Sequence, residues 1–229
     1  MTESKIPLKP VVYVVDDDPQ ACRAVAELVH SFGHQVRMFE SPVDFLESLD
    51  ENRPGCVVLD MRLPDLNGME VHQRLLQRSV ALPVIVLTAY ADTPMTVRSL
   101  RKGAITVLDK PFRDDELWNY VQEALLKSEK DHHRQQHQSS LESRLKKLAH
   151  PDRAVLHLML LGKKNRAIAK RLDVSLRTVE NRRRRVFEIM RADSVAQLTR
   201  MVVEYEHNLV PMTDSHDSWL GLPFDRMTC

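Results

Sequence analysis

The stretch CVVLDMRLPDLNG, residues 56–68, runs from an almost continuous apolar segment into a polar loop that begins at Asp60. Such an uninterrupted β-branched run predicts a strand of a parallel sheet that helices cover on both faces. Similar runs precede and follow it, namely VVYVV (11–15), QVRMF (35–39), PVIVL (83–87) and ITVL (105–108). Segments with helical spacing separate the runs, so residues 11 to about 127 are predicted to form a doubly wound α/β fold of five βα units.

Helix boundaries between these strands carry local signals of their own. A proline at the first helical position after a capping side chain predicts a helix start, and this pattern occurs at Asp18-Pro19, Ser41-Pro42 and Thr93-Pro94. Gly33 and Gly103 lie where the first and fourth helices are expected to end, and glycine favours the left-handed conformation found there. The helices and strands therefore alternate regularly.

Four of the predicted strands end in polar residues, which are Asp16, Asp17 and Asp18 after the first strand, Asp60 at the third, Thr88 at the fourth and Lys110 after the fifth. Parallel strands carry their reactive crevice beyond their carboxyl ends. Carboxylates that converge there repel one another unless a cation neutralises them, and Mg²⁺ suits oxygen ligands. A carboxylate in such a site can accept a phosphoryl group. Unrelated polar strand ends would explain any single aspartate, but they explain the whole set less well.

The net charge of +1 hides a separation of charge along the chain. Residues 1–127 hold 14 Lys and Arg against 19 Asp and Glu, whereas residues 128–209 hold 18 against 10. The last segment, 210–229, holds 1 against 3. A basic segment of this kind makes nucleic acid a candidate partner for the middle of the chain only.

The chain after residue 127 has a different architecture. Residues 128–147 are polar and rich in Gln and His, which predicts a helical linker. Every apolar run in 148–208 has helical spacing, so an all-α domain is expected there, and the tail 209–229 has no assigned role. Exposed polar histidines explain His132, His133, His137 and His150 better than a metal site, because no cysteine or carboxylate completes a tetrahedral set.

Within the all-α domain, NRAIAKRL (165–172) and SLRTVENRRRRVFEIM (175–190) read as two helices joined by a short turn, a helix-turn-helix pattern. Asn165 and Ser175 are the predicted N-caps. The apolar residues that recur at helical spacing are predicted to pack both helices on the domain core: Ile168, Ala169, Leu172, Val179, Val186, Phe187 and Met190. The remaining face of the second helix is dense in arginine, which favours contacts with DNA phosphates over a merely solvated surface.

The blocks VVDDD, VVLDMRLPDLNGMEV, VLTAY and DKPF together resemble the signature of response-regulator receiver domains over residues 11 to about 127. That resemblance implies a phosphoacceptor at Asp60 and Mg²⁺ held by Asp17, Asp60 and the carbonyl of Arg62, with Asp16 acting through water. It also implies that Thr88 contacts the phosphoryl group and that Lys110 pairs with it. Two bulky residues near the acceptor, Arg62 and Tyr90, imply slow self-dephosphorylation. The chain departs from the family at Val107, where receivers usually carry a Phe or Tyr that transmits the signal.

The segment from residue 148 to about 206 resembles the LuxR-type output domain of the FixJ/NarL family. Position by position, the resemblance assigns base contacts to Glu180, Asn181 and Arg184, and phosphate contacts to Lys164, Arg177, Thr178, Arg182, Arg183 and Arg185. Two departures stand out: Ala149-His150-Pro151 replaces the usual opening of the domain, and Arg191 replaces a common glycine after the second helix.

The sequence thus predicts a two-component response regulator rather than a dedicated enzyme. A histidine kinase would phosphorylate Asp60, the phosphorylated protein would form a homodimer, and the dimer would bind a palindromic double-stranded DNA site, with RNA polymerase as a possible further partner. No apolar run approaches the roughly 20 residues that span a bilayer, so a cytoplasmic location without membrane contact is expected. Two alternatives stay open: a phosphorylation-gated protein-interaction module, and a constitutive DNA-binding regulator with a vestigial receiver.

Overall fold

The computed structural model describes residues 8–78, 80–89 and 93–209, with side chains except at 93–95 and 206–209. The chain divides into two units, residues 1–134 and 135–229. The first unit contains one parallel sheet in the order β2-β1-β3-β4-β5. Its strands are β1 (Val11–Val15), β2 (Gln35–Phe39), β3 (Gly55–Asp60), β4 (Val84–Thr88) and β5 (Thr106–Asp109). The five predicted strands are confirmed, the first two at the predicted residues and the others within one residue.

Helices connect the strands: α1 (Pro19–Ser31), α2 (Pro42–Ser48), α3 (Gly68–Gln77), α4 (Thr93–Arg101) and α5 (Asp114–Lys147). The side chain of Asp18 accepts a hydrogen bond from the Gln20 backbone at 2.8 Å, and Ser41 caps α2 in the same way, as predicted. The fourth helix begins at Thr93 itself, one residue earlier than predicted. Gly33 and Gly103 follow α1 and α4 with φ of 80° and 95°, as expected for helix ends.

The sheet separates two apolar clusters, one on each face. One cluster packs alternate residues of β1, β3 and β4 against α2 and α3, and the other packs the intervening residues against α1 and α5. The doubly wound α/β fold is therefore confirmed. One expectation fails at β2, where Gln35, Arg37 and Met38 are exposed. This strand lies at the edge of the sheet, so its burial is incomplete despite its apolar composition.

The predicted linker, residues 128–147, forms the C-terminal part of the long helix α5. Ser128 is buried, and its Oγ accepts a hydrogen bond from the backbone N–H of Gly55 at 2.9 Å, within the first unit. Leu141 and Leu145, near the other end of α5, belong to the apolar core of the second unit. The segment is helical as expected, but both of its ends contribute to a core because apolar and hydrogen-bonding residues recur along it.

The second unit is all-α, as predicted, with α6 (His150–Leu160), α7 (Asn165–Leu172), α8 (Leu176–Met190) and α9 (Val195–Leu209). Ser175 caps α8 by accepting a hydrogen bond from the backbone of Thr178 at 3.1 Å, but the prediction of Asn165 as a cap is wrong. Lys164 occupies that N-cap position without a side-chain hydrogen bond, and Asn165 is the first helical residue.

The predicted core positions of α7 and α8 are confirmed: Ile168, Val179, Val186 and Met190 are buried, and Ala169, Leu172 and Phe187 are partly buried against them. The predicted tail is residues 209–229, and residues 210–229 of it lie outside the described part of the chain. Among the described helices, none combines the length and apolar character needed to cross a membrane.

Candidate phosphoacceptor site and nucleic-acid interface

The polar strand ends of the first unit converge at the carboxyl edge of the sheet. Asp16 follows β1, Asp60 is the last residue of β3, and Lys110 follows β5. The Lys110 Nζ lies 2.6 Å from Asp16 Oδ2 and 2.6 Å from Asp60 Oδ1. Strand order reverses between β1 and β3, because their connections lead to opposite sides of the sheet, and a crevice forms at such a point. The structure therefore brings together three residues that are far apart in sequence.

The site holds two buried negative charges next to one partly buried positive charge. The side chains of Asp16 and Asp60 are only 4% and 9% exposed, and that of Lys110 is 27% exposed. Burial alone would lower the pKa of Lys110, but hydrogen bonds and attraction from the two carboxylates outweigh it and raise the pKa. Lys110 therefore stays protonated at neutral pH and holds two negative charges close together.

Backbone groups fix the orientation of both carboxylates. Asp16 Oδ1 accepts a hydrogen bond from the Asp18 backbone at 3.0 Å, and Asp60 Oδ2 accepts one from the Arg62 backbone at 2.6 Å. Gly68 begins α3 directly behind this loop, where a Cβ would come within 2.6 Å of the Asp60 carbonyl oxygen. Only glycine lets the helix start so close to Asp60, which explains why it occupies this position.

The other predicted site residues lie around this centre. Thr88 is the last residue of β4 and is buried, and it pairs with Asp109 in the sheet ladder. Asp17 and Arg62 are exposed at the rim. Val107 on β5 is partly buried against the core face that α2 and α3 cover. Tyr90 lies outside the described residues.

The donor set suits Mg²⁺. Two buried carboxylates, Asp16 and Asp60, contact the single ammonium group of Lys110, so negative charge remains in excess, and Asp17 follows Asp16 at the exposed rim. Mg²⁺ usually keeps several waters and takes only one or two protein carboxylates. Within residues 8–78, 80–89 and 93–209, no three His, Cys, Asp or Glu side chains form a complete metal cluster, and this includes the four histidines of α5 and α6. The strand-end site therefore fits a largely hydrated ion rather than an all-protein cage.

In the second unit, α8 presents a polar face opposite its buried one. Its exposed or partly exposed residues are Arg177, Thr178, Glu180, Asn181, Arg182, Arg183, Arg184 and Arg185. Val179, Val186 and Met190 are fully buried and hold the helix on the domain. Lys164 is also exposed, but it belongs to the N-terminus of α7 rather than to α8. The structure thus brings together all but one of the predicted DNA-contacting residues on one helix.

Two of the α8 arginines have partners within the domain. The guanidinium of Arg183 lies 6.0 Å from the centre of the Phe187 ring. Arg185 Nε lies 3.4 Å from Oδ2 of Asp152, a buried residue in the first turn of α6. Sequence reasoning missed Asp152, because an acidic residue in a first helical turn is common and nothing nearby indicates that it is buried.

The C-terminus of α8 is held by a second unpredicted contact. Arg144 on α5 donates a hydrogen bond to the Met190 carbonyl at 3.0 Å. Arg191 caps the helix in the left-handed region, with φ of 51°. Partial burial and the nearby charge of Arg191 lower the pKa of Arg144. The arginine that replaces glycine at position 191 therefore adopts a conformation that glycine would adopt more easily.

Family comparisons agree with these two units. Residues 12–122 match the model of the response regulator receiver domain, and residues 146–202 match the model of bacterial regulatory proteins of the luxR family. The fold and the two sites thus define a receiver domain followed by a DNA-binding output domain.

The same combination occurs in similar proteins. The chain is 31% identical over 199 residues to the response regulator protein TmoT of Ectopseudomonas mendocina, covering 87% of this chain and 90% of that protein. It is 33% identical over 195 residues to the transcriptional regulatory protein FixJ of Rhizobium meliloti, covering 84% and 94%. The solved structure of the response regulator StyR has 34% identity and a TM-score of 0.82, covering 86% and 100%. The chain belongs to the family of two-component response regulators with a LuxR-type DNA-binding domain.

Proposed function

We propose that Asp60 accepts a phosphoryl group from the phosphohistidine of a cognate histidine kinase, and that this modification controls dimerisation and DNA binding. The observation that carries the proposal is the contact of Lys110 Nζ with both Asp16 and Asp60, at 2.6 Å from each carboxylate. This contact supplies a cation beside a buried carboxylate at the sheet edge. A fixed cation of this kind stabilises charge that develops on a transferring phosphoryl group.

In the transfer, one carboxylate oxygen of Asp60 forms a bond to phosphorus. The phosphorus–nitrogen bond of the kinase's phosphohistidine breaks, and the imidazole leaves with the electron pair of that bond. Asp60 exchanges its single negative charge for the roughly two of a phosphoryl group. Lys110 then pairs with a phosphoryl oxygen, and the hydroxyl of Thr88, at the end of the neighbouring strand, donates a hydrogen bond to another.

The site would hold Mg²⁺, as receiver domains characteristically do. Asp17, Asp60 and the backbone carbonyl of Arg62 would coordinate it, and Asp16 would act through a bound water. When bound, the ion offsets the negative charge on the phosphoryl oxygens. The excess of carboxylates over ammonium groups at this edge of the sheet supports this assignment.

DNA binding, the output of the protein, would depend on α8, whose exposed face would enter the major groove. Glu180, Asn181 and Arg184 would read base edges, while the other exposed residues of the predicted set and Lys164 would contact phosphates. We propose that phosphorylation favours a receiver conformation that forms a homodimer, so that two copies of α8 bind a palindromic site. Recruitment of RNA polymerase would then link binding to transcription. We assign the phosphoryl chemistry to residues 1–127, extended through Ser128 by its buried hydrogen bond, and DNA binding to residues 148–208.

The test is the oligomeric state and DNA affinity of the intact protein with and without beryllofluoride and Mg²⁺. Wild type, Asp60→Asn and a matched control, Asp65→Asn in the same loop, should be compared. We expect beryllofluoride to promote dimers and to tighten salt-sensitive DNA binding in wild type and in Asp65→Asn, but not in Asp60→Asn. If no DNA of any sequence is bound, a protein-interaction module replaces the DNA-binding function.

Val107 favours a second candidate, a constitutive DNA-binding regulator. A valine that is partly buried on β5 lacks the ring that usually reports the state of the threonine in receivers. Equal DNA binding by wild type and Asp60→Asn, with and without beryllofluoride, would support this candidate and reject the phosphorylation switch.

We further propose that the phosphoaspartate hydrolyses slowly. Arg62 follows Asp60 by two residues and is tied to it through the backbone hydrogen bond, so its side chain is available to limit the approach of water. Phosphorylated protein in Mg²⁺ should lose its label over minutes or longer, and Arg62→Ala should lose it faster. A half-life of seconds in wild type contradicts the proposal.

A further inference from the structure

Asp152 is a buried acidic residue that the proposed function does not use. Its side chain is 4% exposed, and it lies in the first turn of α6. Its Oδ2 atom has no hydrogen-bond partner among the described residues, and the nearest cation is Arg185 Nε on α8, at 3.4 Å. The side chain of Arg185 is 62% exposed, so the ion pair closes over the buried carboxylate from the outside of the domain.

A buried carboxylate is unfavourable unless a cation or hydrogen bonds compensate for its lost hydration. The positive N-terminus of α6 supplies part of that compensation for Asp152, because anions are stabilised in a first helical turn. Arg185 supplies the rest across the contact between α6 and α8. Removing Arg185 would therefore leave a buried charge without its partner, which makes this arginine part of the domain's packing.

The other arginines of α8 differ in this respect. Within the described part of the chain, Arg177, Arg182, Arg183 and Arg184 form no ion pair, so their charges are available to an anionic ligand. Arg185 and Arg184 are neighbours in sequence and point about 100° apart around the helix. The contact of Arg185 with Asp152 on α6 therefore adds to the buried residues Val179, Val186 and Met190 in setting the rotation of α8 and the direction in which Arg184 points.

We propose that Asp152 is a positioning residue for the DNA-reading helix, that it acts through Arg185, and that Arg185 does not contact a DNA phosphate. This inference rests on the proposed role of α8 in DNA binding. It revises the phosphate contact that the family resemblance, and the proposed function with it, assign to Arg185. Base-reading side chains would be set by a carboxylate on a different helix, through a contact on the flank of α8 between its exposed face and its buried face.

Salt dependence separates the two roles of an arginine. Each phosphate contact adds about 0.9 to the slope of log affinity against log salt concentration for duplex DNA. The intact protein with beryllofluoride and Mg²⁺ should be titrated with a fragment that the wild type selects from random DNA. Arg182→Gln, an expected phosphate contact, should reduce the slope by about one. Arg185→Gln should leave the slope unchanged and weaken binding to the selected fragment about tenfold, which lies within the range of interaction energies between residues in contact.

Asp152→Asn should weaken binding to the selected fragment without reducing the slope. The double variant Asp152→Asn/Arg185→Gln should bind the selected fragment at least as tightly as the single variant with the lower affinity. Arg185→Lys should bind it more tightly than Arg185→Gln, because lysine keeps the positive charge. The positioning role is overturned if Arg185→Gln reduces the slope as Arg182→Gln does. It is equally overturned if the losses from Asp152→Asn and Arg185→Gln add together.

A second readout does not depend on DNA. Hydrogen exchange of the α8 amides in the intact protein should accelerate in each single variant, and the double variant should exchange no faster than the faster single variant. If the wild type binds no DNA at all, the proposed function fails. Hydrogen exchange in the two single variants and the double variant then tests the ion pair alone. The ion pair is rejected if the accelerations in the two single variants add together in the double variant. If Asp152→Asn unfolds the domain, refolding in the double variant supports the pair, and a double variant that stays unfolded overturns it.

Discussion

Replacing Arg191 by glycine should stabilise the DNA-binding domain. Arg191 caps α8 with φ of 51° and ψ of 51°, in the left-handed region, where a residue with a Cβ atom is strained by about 1–2 kcal/mol. Glycine avoids this strain but loses about 0.5–1 kcal/mol more conformational entropy on folding. The difference predicts a net gain of about 1 kcal/mol, which is roughly a fivefold shift of the folding equilibrium.

The substitution also removes a charge next to Arg144, whose pKa is lowered by burial and by Arg191. Arg191→Ala removes the same charge but keeps the Cβ atom, so the difference between the glycine and alanine variants isolates the backbone effect. Asp173→Gly is a second control, since Asp173 caps α7 with φ of 50° and aspartate tolerates this conformation better than most residues.

Hydrogen exchange of the intact protein is the suitable assay, because it reports the second unit separately from the first. The amide of Ala192, which donates to the Phe187 carbonyl at 3.1 Å, and the buried amides of α8 should exchange about fivefold more slowly in Arg191→Gly than in Arg191→Ala. Asp173→Gly should produce a smaller effect. Equal or faster exchange in Arg191→Gly than in Arg191→Ala would refute the strain argument.

Three further predictions concern the receiver domain. Ser128→Ala should destabilise it by about 1–3 kcal/mol, because the buried N–H of Gly55 loses its acceptor, and faster exchange of the β3 amides would reveal this. Burial raises the pKa of the Cys56 thiol, so thiol reagents should leave it unlabelled in the native protein and modify it after unfolding; native labelling detected by peptide mapping would contradict its placement. Burial, and secondarily Lys102, lowers the pKa of His72 from 6.5, so the unfolded chain binds a proton at a higher pH than the native one. Stability should therefore fall as the pH drops below about 6.5 towards the native pKa, and urea unfolding should show a smaller fall in His72→Leu.

Patterns among residues close together in the sequence were sufficient to predict most of the strands and helix starts. The β-branched runs define the strands within one residue, and the caps at Asp18 and Ser41 lie where the sequence predicts them. Both signals depend on residues that are neighbours in the chain. The same kind of reasoning failed at Asn165, because the turn before α7 places Lys164 at the cap position instead. Chain-local rules also gave no warning that β2 would be an edge strand, since strand order is a property of the whole sheet.

The sequence by itself determined which residues lie at the strand ends and which face of α8 is basic, because side-chain periodicity and strand termini are local properties. Only the tertiary structure decided that Lys110 contacts Asp16 and Asp60, which are 94 and 50 residues away from it. It also decided that a buried carboxylate on α6 meets an arginine on α8. Such contacts depend on how helices and strands pack in space, and no spacing along the chain encodes them.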